Sequence, residues 1–263
     1  MKLFNRDPAM YVRNISRIPP YAWYFLKCFL LFREPLRFIQ AYLRRQPPPD
    51  GRITLRSGME IRLSGHPHDV VTVFVIFVRR DYGGLPPGCT VIDIGANIGV
   101  FSLFAAHCGA RSVRAYEPNS EAFRCLQSNI RANRLEAAVA ARQFAVTGKA
   151  GGTVRFPKQA SAYNAILPEQ STVDSETVAT TDLAEILAGM DRVDVLKLDC
   201  EGAERDILTA AERSVLDKID SIRMEYHLGH RDEITGFLET NGFSREYATG
   251  TMEAGTMWFS RRK

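Results

Sequence analysis

Val91-Ile92-Asp93-Ile94-Gly95-Ala96-Asn97-Ile98-Gly99-Val100-Phe101 decides the fold. An apolar run of strand length enters a glycine turn and leaves it with a helical pattern, the opening unit of a doubly wound α/β sheet. Gly95 and Gly99 would let the backbone approach a ligand closely at the carboxyl edge of the sheet, where such folds bind cofactors. Outward from this unit the alternation continues. Apolar strands are predicted at 90–94, 112–116, 140–146, 193–198 and 221–226, with helices at 98–108, 119–134, 181–189, 202–213 and 231–241. Ser244 to Ala248 and Thr256 to Ser260 read as a final hairpin, so a mostly parallel sheet with an antiparallel C-terminal edge is expected. No internal repeat is visible.

Upstream, Arg52 to Arg56 and Met59 to Leu63 alternate apolar and polar residues around Ser57-Gly58, a hairpin signal. Val70 to Val78 is open: its β-branched content suits a strand, its position a buried helix. Tyr21 to Tyr42 is dense in aromatic and aliphatic residues and predicts two helices separated by Pro35, followed by a linker at Pro47 to Gly51. Three parts follow: an N-terminal helical arm over 1–50, a hairpin and connecting segment over 51–89, and a cofactor-binding domain over 90–263.

In a chain of 263 residues, 45% hydrophobic and 24% charged residues describe a globular protein with a core, not a disordered or fibrous one. The five cysteines are scattered without CxxC spacing, which suggests neither a zinc site nor a disulfide framework and fits a reducing compartment. No apolar run reaches the ~20 residues of a membrane span, and no small-residue cleavage site follows the apolar stretch near the start. A cytoplasmic location is therefore expected, with peripheral membrane contact an open alternative. Residues 1–50 hold nine Lys/Arg against three Asp/Glu, for +6, and the rest carries −2. That arm could seek an anionic membrane surface, dock on the body or form a homodimer contact. The body has no basic stripe with interleaved aromatics, so no nucleic-acid partner is expected.

Eighteen residues past Gly99 comes Tyr116-Glu117-Pro118-Asn119. A carboxylate there can accept both hydroxyls of a ribose, which implies an adenosine cofactor. The glycine spacing is G-x-x-x-G, not the G-x-G-x-x-G that holds a pyrophosphate on a helix N-terminus. Asp93, two residues before the first glycine, would oppose a pyrophosphate but attract the amino group and sulfonium of S-adenosylmethionine.

VIDIGANIGVFSLFAA, AYEPN, VDVLKLDCEGAERDIL and MEYH, in this order and spacing, resemble the FkbM family of S-adenosylmethionine-dependent methyltransferases. The resemblance covers about residues 52–261, including the turn-rich GTVRFPKQASAYNAIL segment, and leaves the arm outside. It implies a class I methyltransferase (Rossmann-like) fold. It further implies that the turn from Gly95 through Asn97 to Gly99 holds the methionine part, Glu117 with Pro118 and Asn119 the ribose, and Ala145 and Val146 the adenine neighbourhood. Tyr82 matches an aromatic that often precedes the first core strand.

Methyl transfer to a hydroxyl needs the acceptor held in line with the methyl group and its proton removed. Lys197 and Asp199 share a face at the end of the fourth strand, with Glu201 two residues on, and Glu225 and His227 share a face at the end of the fifth. Two uses are open: His227 as general base with the acids positioning an acceptor, or a carboxylate-rich site for a divalent cation such as magnesium. Asp199 and Glu201 also lie where a helix begins and would be favoured there by its dipole alone. The resemblance thus implies an O-methyltransferase acting on a sugar, glycan or secondary metabolite. A dinucleotide-dependent oxidoreductase and a binding module without catalysis are the alternatives.

Overall fold

The computed structural model describes residues 18–161 and 164–262. Residues 1–17 of the arm, and Ala162 and Tyr163 of the turn-rich segment, lie outside the described residues. A seven-stranded sheet forms the centre, built from β3 (Thr90–Ile94), β4 (Ser112–Tyr116), β5 (Val139–Arg142), β9 (Val195–Leu198), β10 (Ser221–Tyr226), β11 (Phe243–Gly250) and β12 (Gly255–Arg261). Its spatial order is β11-β12-β10-β9-β3-β4-β5, and only β12 runs antiparallel to both of its neighbours. The order reverses between β3 and β9, so a crevice opens there at the carboxyl ends of the strands.

Helices cover both faces. On one side lie α1 (Ile18–Leu31), α2 (Pro35–Arg44), α3 (Pro67–Val73), α4 (Val100–His107) and α5 (Ser120–Ala132). On the other lie α6 (Leu183–Ile186), α7 (Glu204–Thr209), α8 (Arg213–Leu216) and α9 (Arg231–Thr240). Strand alternation divides the core between them. Val91, Val113 and Val195 pack toward the first layer, and Ile92, Ile94, Leu196 and Leu198 toward the second.

Val70 to Val78 is helical. Pro67 opens α3, the His66 ring accepts from the His68 backbone N–H at 3.3 Å, and the helix continues as a π-helix over Phe74–Arg79. Its apolar side chains are buried among helices, so tertiary packing overrides their β propensity. The arm docks on this helix: Tyr42 stacks on Phe74 at 3.9 Å, and Cys28, Phe32 and Phe38 enter the same core. Backbone bonds from Arg33 to Thr54 and from Arg56 to Leu31 tie it to the predicted hairpin, β1 (Arg52–Thr54) with β2 (Glu60–Arg62).

Three boundaries differ from the sequence reading. The strand expected at 140–146 is two: β5 ends at Arg142, and β6 (Ala145–Val146) joins a separate small sheet of order β6-β8-β7 with β7 (Thr153–Pro157) and β8 (Ser175–Thr181). The helix expected at 181–189 is only the four residues of α6, because β8 runs into its N-cap Asp182. The helix expected at 202–213 is the pair α7 and α8, separated by Ala210 to Glu212.

Candidate active site

The crevice at the carboxyl ends of β3, β4 and β9 is lined by the Gly95 to Asn97 turn, by Glu117 and Pro118, by Phe144 to Val146, and by Lys197, Asp199 and Glu201. Phe156, Asn164 and Ile166 of the turn-rich segment form its outer wall. Asn119, whose side chain is buried, holds that wall. Its amide donates to the Pro157 and Lys158 carbonyls at 2.7 and 2.9 Å, while its oxygen caps α5 by accepting from Ala122 N–H at 2.8 Å. Asn119 is thus a scaffold residue and not part of the crevice lining.

Glu117 accepts the Asn97 backbone N–H at 2.7 Å and the Asn119 N–H at 2.9 Å, one on each carboxylate oxygen. Each oxygen keeps a lone pair for a further donor. Burial pushes this carboxyl up to about 7, against the two N–H groups that hold it down. A ribose diol fits beside it, and Phe144, Ala145, Val146 and Phe156 offer the apolar surface that an adenine needs. Asn97 and Glu201, both in the lining, have φ of 50° and 52°, the left-handed region that non-glycine residues enter at a cost and that clusters at functional sites.

Asp93 departs from its predicted role. It is fully buried and lies opposite Lys197 in the register of the adjacent parallel strands β3 and β9. Lys197 Nζ sits 3.1 Å from Asp93 Oδ1, and Ser102 donates to Oδ2 at 2.7 Å. The carboxylate is consumed by this pair and does not line the crevice, so its charge does not reach a ligand unopposed. Lys197 also donates to the Gly95 carbonyl at 2.7 Å, which fixes the turn. Burial acts against its charge, but Asp93 and Asp199 outweigh burial and raise its pKa. It lines the crevice with its charge already paired to Asp93 and its other donors directed to the Ile94 and Gly95 carbonyls.

The glycines also act differently from the reading above. A Cβ on Gly95, at φ +73°, would lie 1.8 Å from the Asp199 carbonyl, and one on Gly99 would meet Leu126 at 2.4 Å. Close approach of β3 to β9 and of α4 to α5, more than approach of a ligand, requires them. Gly95→Ala should therefore lower unfolding stability by about 3 kcal/mol or more; a denaturant midpoint near that of the parent would refute this packing role.

The acceptor side joins the remaining predicted residues. Tyr82 donates to Asp199 Oδ2 at 2.9 Å and packs edge-on to Phe101, so it touches two lining residues without lining the crevice itself. His227 Nε2 lies 3.5 Å from Glu201 and 4.0 Å from Glu225, and Nδ1 lies 3.1 Å from Glu204. Glu204 was not singled out from the sequence, although it closes the DCEGAE segment. Its side chain is buried and reaches back to accept the Cys200 and Gly202 N–H groups at 2.7 and 3.0 Å, fixing the turn that carries Glu201. Burial acts against an imidazolium at His227, but Glu204, Glu201 and Asp199 outweigh it and raise the pKa to about 9. Burial, with Asp199 adding, pushes Glu201 and Glu225 up to about 7. Ligand atoms of Asp199, Glu201 and His227 lie within 4.8 Å of one another, close enough to hold a divalent cation.

A crevice at the switch point of a sheet whose last strand is inserted antiparallel is the architecture of a class I methyltransferase fold. The Methyltransferase FkbM domain matches residues 93–248, and the chain belongs to that family. It is 26% identical over 222 residues to AMB antimetabolite synthetase AmbE of Pseudomonas aeruginosa, covering 67% of this chain but 10% of that protein. It is also 26% identical to Methyltransferase sdnD of Sordaria araneosa, covering 70% of this chain and 85% of the relative. Against 31-O-demethyl-FK506 methyltransferase FkbM of Streptomyces tacrolimicus the identity is 27%, covering 65% and 79%. The chain thus spans about a tenth of the first of these and most of the other two.

Proposed function

We propose that this protein transfers a methyl group from S-adenosylmethionine to a hydroxyl of a small-molecule or glycan acceptor. The observation that carries the reading is that Glu117, poised for a ribose, lines one crevice with Asp199 and Glu201, and that His227 lies against those two acids, the ligand atoms of the three within 4.8 Å of one another. The name of the Streptomyces tacrolimicus relative, an O-demethyl substrate methyltransferase, supports oxygen as the acceptor atom.

S-adenosylmethionine, when bound, supplies an electrophilic methyl group. The chain's own residues hold and deprotonate the acceptor. Glu204 orients His227 through Nδ1, which leaves Nε2 beside Glu201 and Glu225. In its neutral form Nε2 takes the hydroxyl proton, and Asp199, anchored by Tyr82, accepts a hydrogen bond from a neighbouring acceptor group. The resulting imidazolium is stabilised by the same acids that raise its pKa.

Incubation with methyl-labelled S-adenosylmethionine and a panel of hydroxylated sugars and secondary metabolites tests the reading. Label on an acceptor oxygen is expected. Transfer only to nitrogen, or cofactor binding with no transfer across the panel, would overturn it. Dialysis against a chelator should leave the rate unchanged if His227 is the base; loss of activity restored by magnesium would instead assign the cluster to a cation.

A further inference from the structure

Among the described residues, the outward face of α1 has no partner. Trp23, Leu26, Phe29 and Leu30 are 55, 55, 42 and 72% exposed, and Leu36 at the start of α2 adds 69%. Their spacing puts the four on one side of α1, opposite the buried Cys28 and Phe32. Scattered exposed apolar residues need no explanation, but a contiguous face of large ones marks an interaction surface. Lys27, the one charged residue among Tyr21 to Leu31, turns its Nζ to the Val78 carbonyl at 3.4 Å and over the rings of Trp23 and Tyr24.

Cations border this face. Arg56 is exposed and donates to the Phe29 carbonyl at 2.8 Å, which pins it at the rim, and Arg33 is exposed just past the end of α1. The nearby acid Glu34 is paired with Arg37 at 2.9 Å. The first fifty residues carry a net +6. We propose that this face is a docking surface for an anionic phospholipid bilayer, with α1 lying in the interfacial plane. Apolar side chains would enter the headgroup boundary and the arginines would meet lipid phosphates. Trp23 suits that depth, since its ring is apolar while its indole N–H finds a polar partner at the interface. A second copy of this chain fits less well, because a two-fold contact on this face would bring basic rims and +6 segments together. No described helix is long and apolar enough to cross a membrane, so the contact is peripheral.

Flotation of the full chain with vesicles tests this. The protein should bind phosphatidylcholine vesicles containing phosphatidylglycerol at least about tenfold more tightly than vesicles of phosphatidylcholine alone, and added salt should weaken binding. Brominated lipid should quench tryptophan emission. The double variant Leu26→Asp/Leu30→Asp, both positions on the surface, should lose about tenfold or more in binding with its thermal unfolding and cofactor binding unchanged. Three outcomes would overturn the proposal. These are no binding to anionic vesicles, undiminished binding of the double variant, or a concentration-dependent dimer that the double variant dissolves in place of vesicle binding.

Discussion

Lys197→Met should lower the stability of the protein by about 3–5 kcal/mol, because it leaves the fully buried Asp93 facing an apolar side chain. The same change removes the donor that fixes the Gly95 carbonyl, so cofactor binding should fall with it. In a chain of this size the loss corresponds to a fall in melting temperature of about 10 °C. The double variant Asp93→Asn/Lys197→Met removes both charges and should recover part of the loss, since the largest penalty belongs to the unpaired ion and not to the absence of the pair. Thermal unfolding of the four proteins in the cycle measures this coupling. A single-variant loss below about 1 kcal/mol would show that the pair contributes no more than an exposed ion pair does.

His227→Ala should lower methyl transfer by about 10²–10⁴-fold, the usual contribution of a positioned general base. The pH profile identifies the base. His227 acts only when neutral, and its pKa is raised to about 9. Below that value the neutral fraction falls about tenfold per pH unit, so kcat/KM for the cofactor, which reports the free enzyme, should climb with pH and level off near 9. Glu204→Gln removes a carboxylate that raises this pKa, so the climb should move to lower pH. His227→Ala should abolish the climb. A rise centred near 7 that survives His227→Ala would assign the base to Glu225 or Glu201, whose carboxyls are pushed up to about 7.

The central sheet was legible because its signal is local. Val91 to Gly99 and the alternation after it carry their own periodicity, and the terminal hairpin follows from two strand-length runs around a turn. The small sheet was not. Ser175 to Thr181 is polar and half exposed, so it lacks the alternation that marks a strand, and its pairing with β6 and β7 depends on the chain turning out of the main sheet after Arg142. The same limit applied within the site. Glu117 could be placed because its distance from the turn is fixed by one helix and one strand. Asp93 and Lys197 are 104 residues apart, and only the register of β3 with β9 makes them a pair. Glu204 was not singled out, because its use as the partner of His227 depends on β9 and β10 being neighbours. The exposed face of α1 was legible as an apolar helix, but which half of it would stay uncovered required the packed structure.

The most direct test of the cofactor crevice is calorimetric titration of S-adenosylhomocysteine and of NAD into the full chain and into Glu117→Ala. S-adenosylhomocysteine alone should bind, and the substitution should weaken it by about 10–100-fold through loss of charged hydrogen bonds to the ribose. Binding of NAD alone, or of neither ligand to a chain that is folded by circular dichroism, would contradict this.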